Sequence, residues 1–306
     1  MRTFHCNRCE QLVFFENVRC ERCEALLGYL PELGGLSAFE EAGDELWRSL
    51  HPKAEGALYR QCHNYSVENV CNWMIPADQP ETLCRSCQLT RTIPNLTAPD
   101  NRLYWYRLEV AKRRLLYTLA ALGVKVESRR ENPQTGLEFE FLEETSAGEK
   151  VLTGHDNGLI TLNIAEADDA YRERTRTAMH EPYRTLLGHF RHETGHYFFD
   201  RLVVGTPWLE PYRALFGDES VDYAEALDTY YRNGTPADWS KWGTLLRLVE
   251  TGRSRSVVLL DPKTEAINGV ATDELTLEGV YEALLTSAPM HASGGIGSPA
   301  NALALK

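Results

Sequence analysis

Two pairs of cysteines near the start of the chain, each with two residues between its members, restrict how the first thirty residues can fold. The pairs are Cys6 with Cys9 and Cys20 with Cys23. Four thiolates at this spacing can surround one Zn²⁺ tetrahedrally, and the metal then holds together a segment too short to form its own core. The β-prone residues 11–18 between the pairs predict short strands. We therefore expect a structural zinc ribbon at residues 1–30 that does not fold without its metal.

A second group of four cysteines predicts another structural zinc site. Cys84 and Cys87 repeat the close spacing, whereas Cys62 and Cys71 are further apart. His63 is an alternative ligand, but four cysteines already complete a tetrahedral site. The apolar segment 72–76 indicates that this cluster packs on a neighbour and locks the ribbon to the rest of the chain. Residues 31–97 are interpreted as a connector, with a short helical pattern between 31 and 58, followed by this cluster.

Composition excludes several classes of protein. The chain has 306 residues and a formal net charge of −12, which argues against broad nucleic-acid binding. It contains no apolar run long enough for a membrane span, and its start lacks the apolar core of a signal peptide. The expected location is the cytoplasm, with no membrane partner. In that reducing compartment, eight cysteines are expected to bind metal rather than form disulfides.

An α+β body is predicted after the cysteine clusters. Apolar spacing indicates a long amphipathic helix over residues 102–122, and its basic run 112–114 is interpreted as a solvated face. Residues 136–142, 151–153 and 158–164 are predicted strands of a small sheet with antiparallel pairing. The strand at 158–164 is the candidate for aligning an extended peptide, and the alternative is an interior strand of the sheet.

The stretch His192-Glu193-Thr194-Gly195-His196 carries the clearest chemical signal in the chain. Side chains four residues apart lie on one face of a helix, so both imidazoles can bind one Zn²⁺. Glu193 lies beside them, where it can accept a proton from a zinc-activated water and pass it to a leaving amine. The motif predicts a catalytic zinc site with His192 and His196 as ligands and Glu193 as general base. The helix is expected to begin near Pro182.

A catalytic zinc normally has a third protein ligand. His189 shares a side with His192, but the axial rise from 189 to 196 is roughly 10 Å, so a packing role is expected for His189. Glu219 is the candidate third ligand and Asp222 a candidate support for a ligating histidine, with Asp218 a close alternative. The competing interpretation is that residues 218–222 are a solvated helix start.

The cysteine pairs and the histidine motif together resemble those of a bacterial family of zinc-ribbon-containing zinc-binding metallopeptidases. The resemblance covers about residues 1–240. It rests on the cysteine pairs, on Cys71-Asn72-Trp73, on Cys84-Arg85-Ser86-Cys87, on residues 153–163 and on residues 186–193. It implies a gluzincin-like, zincin-type body at residues 98–240. Members of the family continue past the equivalent of Trp239 into a helix with a ligating carboxylate, and this chain has no such segment. Residues 241–306 are expected to be divergent and partly flexible.

The sequence thus leads to two hypotheses. The first is a zinc-dependent peptidase acting on peptide or protein substrates, with one catalytic and two structural zinc ions. His155, Tyr223 and Tyr230 are its candidates for stabilising the oxyanion. The second is a non-catalytic zinc-ribbon adaptor whose metallopeptidase body is degenerate. Recognition of nucleic acid through the ribbon is disfavoured by the acidic charge.

Overall fold

The computed structural model of the chain describes residues 3–144, 150–178, 184–216, 218–222, 225 and 232, and four short strands further on. Two compact units are present. One contains residues 1–154 and 159–168, and the other contains residues 155–158 and 169–306. In the described part of the chain, strands predominate over residues 3–92 and helices over residues 101–216, which confirms the α+β class.

The first cysteine cluster holds a small hairpin. Strands β1 (Phe4–His5) and β2 (Leu12–Val13) pair antiparallel, as residues 11–18 predicted. The side chains of Phe4, Val13 and Phe15 are buried beneath it, whereas Phe14 is exposed. Only a few apolar side chains are covered by so short a hairpin, which agrees with the expectation that a metal holds it together.

A five-stranded antiparallel sheet joins the two cysteine clusters. Its strands, in spatial order, are β3 (Leu26–Leu30), β4 (Gly35–Glu41), β5 (Leu46–Ser49), β6 (Leu58–Gln61) and β7 (Met74–Pro76), and the short helix α1 (His63–Ser66) lies between the last two. The helical pattern expected between residues 31 and 58 is therefore wrong. Gly34 and Gly43 have φ of 59° and 80°. They form the turns between neighbouring strands of this sheet and are not part of an irregular connector.

The long helix predicted after the second cluster is present as α2 (Asn101–Ala121). Trp105, Leu108 and Leu115 on its apolar side are fully buried. Its basic run departs from the expectation of a solvated face, because Lys112 and Arg113 are 0% and 1% exposed. Local sequence could not reveal this, since a pair such as Glu109 and Lys112 forms on solvated and buried helix faces alike, and burial depends on the segments that pack over it.

Aromatic side chains connect both the first ribbon and the second cysteine cluster to α2. The ring of Phe15 lies 4.9 Å from that of Tyr29, and the ring of Tyr29 lies 5.0 Å from that of Trp73, measured between centroids. The side-chain amide of Asn72 donates a hydrogen bond to the carbonyl of Phe15 at 2.5 Å. Tyr117 on α2 completes the cluster, 5.3 Å from Phe15. The segment around Trp73 therefore locks the second cluster to its neighbours, as its apolar composition predicted.

A second sheet has the strand order β10-β11-β9-β8. Its strands are β8 (Thr90–Thr92), β9 (Glu138–Leu142), β10 (Gly154–Asp156) and β11 (Leu159–Asn163). The pairs β9–β11 and β8–β9 are parallel, so the expectation of antiparallel pairing for β9 and β11 is wrong. Residues 151–153 form no strand, and the turn at Asn157 and Gly158 connects β10 to β11. β11 is an interior strand, which also contradicts its expected role in pairing with an extended substrate.

The second unit carries three helices: α3 (Asp169–Ala178), α4 (Leu186–Leu202) and α5 (Leu209–Phe216). α4 begins at Leu186, later than expected, and Pro182 lies outside the described residues. Further on are the short strands β12 (Leu259–Leu260), β13 (Ile267–Asn268), β14 (Leu284–Thr286) and β15 (Leu303–Leu305). The sequence also predicts a short helix near residues 277–285. Leu284 and Leu285 lie instead in β14, and residues 277–283 lie outside the described part. Within the residues described, no helix has the length and apolarity to cross a bilayer.

Candidate metal centres

Helix α4 carries the histidine motif. Thr185 precedes the helix, and its hydroxyl accepts a hydrogen bond from the backbone N–H of Gly188 at 3.0 Å, which caps the first turn. Phe190, Tyr197 and Phe198 bury the apolar side of the helix. The helix is thereby fixed over the turns that carry His192, Glu193 and His196.

The two histidines are spaced as one zinc ion requires. Nε2 of His192 lies 3.1 Å from Nε2 of His196. Two nitrogens on a tetrahedral Zn²⁺, each about 2.05 Å from the metal, would be about 3.3 Å apart. Burial lowers the pKa of His192 to about 3, with further contributions from His196 and His189. The ring is therefore neutral at physiological pH, which is the form that binds metal.

Glu193 lies within the same group as the two imidazoles. The ligand atoms of the three residues are all within 4.8 Å of one another. The side chain is buried, and burial raises the pKa of Glu193 to about 7. A carboxyl group with a pKa close to the operating pH can both accept and release a proton.

His155 is placed next to the motif by the turn before β11. Its ring is parallel to that of His196 with centroids 6.4 Å apart, and it meets the ring of Tyr197 edge-on at 6.1 Å. Nε2 of His155 accepts a hydrogen bond from the backbone N–H of Gly158 at 2.8 Å, so a neutral His155 carries its proton on Nδ1. Burial lowers the pKa of His155, while Asp200 and Asp156 oppose this. Sequence reasoning missed Asp200, although its position four residues after His196 is a helical spacing that could have indicated it.

The acidic residues proposed from sequence have other partners in the structure. Both carboxylate oxygens of Glu219 accept hydrogen bonds from the guanidinium of Arg213, at 2.7 and 2.9 Å, and this bond lowers the pKa of Glu219. Asp218 accepts from Ser220, and Asp222 accepts from the backbone N–H of Glu225 at 3.0 Å. Neither these residues nor His189 belongs to the metal-binding group formed by described residues on α4. Tyr223 and Tyr230 lie outside the described part of the chain.

The first ribbon brings its four thiols together. Sγ of Cys6 lies 3.6 Å from Sγ of Cys23, and Sγ of Cys9 lies 3.6 Å from Sγ of Cys20. Two sulfurs on a tetrahedral Zn²⁺, each about 2.3 Å from the metal, would be about 3.8 Å apart. Cys6 and Cys20 are buried, whereas Cys9 and Cys23 are half-buried. The donor set and its spacing fit one zinc ion.

The second cluster is more enclosed. Cys62, Cys71, Cys84 and Cys87 are all buried, and Sγ of Cys71 lies 3.7 Å from Sγ of Cys84. Two backbone N–H groups also donate to its sulfurs: that of Trp73 to Cys71 at 3.4 Å and that of Cys84 to Cys62 at 3.3 Å. His63 is exposed and is not a member of this group. A four-thiol zinc site again fits, as the sequence predicted.

The fold and these three clusters define a zinc-ribbon protein with a histidine metal motif on a helix. Residues 3–98 match a zinc-ribbon domain family, and residues 101–242 match a family described as "Putative zinc-binding metallo-peptidase". The chain therefore contains a zinc-ribbon domain and a domain of this zinc-binding metallopeptidase family, in agreement with the resemblance found from its motifs. Zinc binding is therefore supported both by the family and by the cysteine clusters.

Relatives of the chain occur in mycobacteria. One uncharacterized protein of Mycobacterium bovis and two of Mycobacterium tuberculosis are each 43% identical to it over 240 residues, which is 78% of this chain and 65% of each relative. The chain therefore spans somewhat less than two thirds of the length of these relatives. No solved structure matches it.

Proposed function

We propose that the chain is a zinc-dependent peptidase whose metal is held by His192 and His196 on α4. The observation that carries this proposal is the 3.1 Å separation of the two Nε2 atoms, with the carboxylate of Glu193 in the same group. The match of residues 101–242 to a zinc-binding metallopeptidase family supports it. When bound, zinc supplies a Lewis acid that makes water a nucleophile at neutral pH.

Glu193 is the proposed general base and then acid. Its carboxylate takes the proton of the attacking water and delivers it to the leaving amine, so no proton is lost to solvent during the cycle. Burial raises the pKa of Glu193 to about 7, and bound zinc would lower it from there, so the carboxylate is ionised and can accept a proton at neutral pH. His155 is the proposed donor to the developing oxyanion, because its Nδ1–H is fixed by the bond that Nε2 accepts from Gly158.

Glu219 remains the proposed third ligand. It is held by Arg213 in the structure, so binding zinc requires the carboxylate to exchange that partner for the metal. A guanidinium and a divalent cation compete for the same lone pairs, and the ion with the higher charge density is favoured when two imidazoles already hold it.

The non-catalytic adaptor is the second candidate function. It is favoured by the partners of the acidic residues, since Asp222 accepts a bond from Glu225 as a helix-capping residue does, and Glu219 forms an ion pair. In that case α4 retains the two histidines and the glutamate of a peptidase site but has no third zinc ligand.

Zinc content separates the two functions. The peptidase should bind three zinc ions per chain, one on α4 and two in the ribbons, and His192→Ala should lower the content by one. Two ions, unchanged by His192→Ala, would exclude the catalytic site. Arg174→Ala on the exposed side of α3 is the control and should retain the full content.

A further inference from the structure

A buried arginine from α2 lies beside the second cysteine cluster. Arg113 is 1% exposed, and its Nη1 donates a hydrogen bond to the carbonyl of Val70, the residue before Cys71, at 2.6 Å. Its Nε has no hydrogen-bond partner among the described residues. One carbonyl does not offset the burial of a guanidinium, so a negative charge must lie nearby.

The carboxylate next to Arg113 is already used by another cation. Both oxygens of Glu109 lie 2.9 Å from Nζ of Lys112, and Oε1 also accepts from Thr90 at 2.8 Å. Arg113 is further from this carboxylate, at 4.0 Å. Lys112 and Glu109 neutralise each other, so the group of three has one buried positive charge in excess.

The second cysteine cluster is a further source of negative charge beside Arg113, because Cys71 directly follows Val70, whose carbonyl accepts from the guanidinium. Burial acts to lower the pKa of Arg113, but Cys71, Glu109, Cys87 and Cys84 outweigh it, and the pKa lies above its usual value. A zinc ion with four thiolates still carries net negative charge, because the metal neutralises only part of the charge of its ligands. The buried guanidinium and the zinc-thiolate group therefore offset each other.

We propose that Arg113 is the counter-charge of the zinc centre formed by Cys62, Cys71, Cys84 and Cys87, and that it makes this zinc exchange more slowly than the zinc of the first ribbon. Among the described residues near the thiols of the first ribbon, there is no buried arginine equivalent to Arg113. Arg22, which approaches it, is exposed and donates to the carbonyl of Cys9. Two thiols of that ribbon, Cys9 and Cys23, are also half-buried and within reach of chelators. This inference is independent of peptidase activity.

A consequence is that the second centre is completed by the helix that follows the ribbon domain. Arg113 lies in α2, within the metallopeptidase match, while the cysteines lie within the zinc-ribbon match. Retention of zinc by the second cluster therefore requires that α2 is docked, and the ribbon domain without α2 would lose this zinc more readily.

The test is site-resolved alkylation of the zinc-loaded full chain. The protein is treated with a chelator and pulsed with N-ethylmaleimide, and peptide mass spectrometry gives a labelling rate for each cysteine. In the native chain we expect the second set of cysteines to be labelled at least about tenfold more slowly than the first. Arg113→Met should accelerate labelling of the second set by about tenfold or more and leave the first set unchanged.

Two further variants separate charge from packing. Arg113→Lys keeps the charge but loses the planar fork that contacts Val70, so labelling of the second set should stay close to the native rate. Arg102→Met removes an exposed arginine of the same helix and should change neither set. If Arg113→Lys is labelled as fast as Arg113→Met, or if Arg113→Met leaves the second set slow, the proposal is overturned. If circular dichroism shows that Arg113→Met is unfolded, Arg113→Gln replaces it as the neutral variant: fast labelling of the second set beside slow labelling in Arg113→Lys supports the proposal, and equal rates overturn it.

Discussion

The ring of Phe15 in the first ribbon packs against the ring of Tyr117 on α2, with 5.3 Å between their centroids. The two residues belong to different family matches, since Phe15 lies in the zinc-ribbon region and Tyr117 in the metallopeptidase region. Both side chains are buried, at 1% and 6% exposure. The ribbons are therefore part of the same core as α2 and do not form a free module.

Phe15→Ala should destabilise the unit that contains the ribbons and α2. The substitution removes a buried ring that contacts both Tyr29 and Tyr117, and we expect a loss of about 3–5 kcal/mol in the free energy of unfolding. Phe14→Ala is the matched control, because Phe14 is 58% exposed and should change stability by less than about 0.5 kcal/mol. Chemical denaturation of the zinc-loaded protein measures both. Equal effects would show that Phe15 is not part of a common core.

Cys87→Ser should remove one zinc ion and lower the melting temperature of the same unit. Because the thiol of Cys87 is fully enclosed, a hydroxyl there leaves the other three thiols around a weakened site. Ser86→Ala is the control at the adjacent position. The hydroxyl of Ser86 is buried with no hydrogen-bond partner among the described residues, so its removal should be neutral or slightly stabilising. Zinc analysis and thermal melting together test this, and an unchanged zinc content in Cys87→Ser would contradict it.

Cysteine spacing was sufficient to predict both ribbon sites, because four thiols that bind one ion must come together whatever the rest of the fold does. The strands between residues 31 and 58 were missed for the opposite reason. Gly34 and Gly43 are compatible with a connector and with hairpin turns, and the choice between them depends on partner strands that lie elsewhere in the chain. The parallel pairing of β9 with β11 is likewise a tertiary property, since the turn before β11 belongs to β10.

The histidine motif was predictable because a helix alone sets the spacing of His192 and His196. The burial of Lys112 and Arg113 was not predictable. Their helical spacing to Glu109 is equally compatible with a solvated ion pair, and the segments that cover all three residues come from elsewhere in the fold. The third ligand of the proposed zinc on α4 was also not predictable from the sequence. A carboxylate reaches a metal from another segment, and spacing along the chain does not determine its position.

Lys112→Met should be strongly destabilising, because it leaves the buried carboxylate of Glu109 without its closest cation. The expected loss is about 3–5 kcal/mol, as for other broken buried ion pairs. The exposed pair between Arg102 and Glu68 is the comparison, and Arg102→Met should cost less than about 1 kcal/mol. Urea denaturation of the two variants gives both values. A small effect of Lys112→Met would mean that Arg113 alone can balance Glu109.

The peptidase hypothesis predicts that kcat/KM decreases at low pH because Glu193 becomes protonated. Burial alone holds the pKa of Glu193 at about 7, and a bound zinc ion would lower it by stabilising the carboxylate. The base must be ionised, so kcat/KM should rise with pH through a single ionisation at or below pH ~7. Glu193→Gln should abolish cleavage while the zinc content stays unchanged. Activity that increases as the pH falls, or that survives in Glu193→Gln, would assign the chemistry to another group.

Arg213 and zinc should compete for the carboxylate of Glu219 if that residue is the third ligand. Removing the guanidinium in Arg213→Met frees both oxygens of Glu219 and should tighten zinc binding on α4, whereas Glu219→Gln should weaken it by roughly 10–100-fold. Glu210→Gln is the matched control, because Glu210 also binds Arg213, at 3.1 Å, yet is not a proposed ligand. The measurement is a zinc titration of each variant with the ribbon sites already loaded. Opposite shifts for Arg213→Met and Glu219→Gln would place Glu219 on the metal, and unchanged affinity in both would leave it as an ion-pair partner and favour the non-catalytic function.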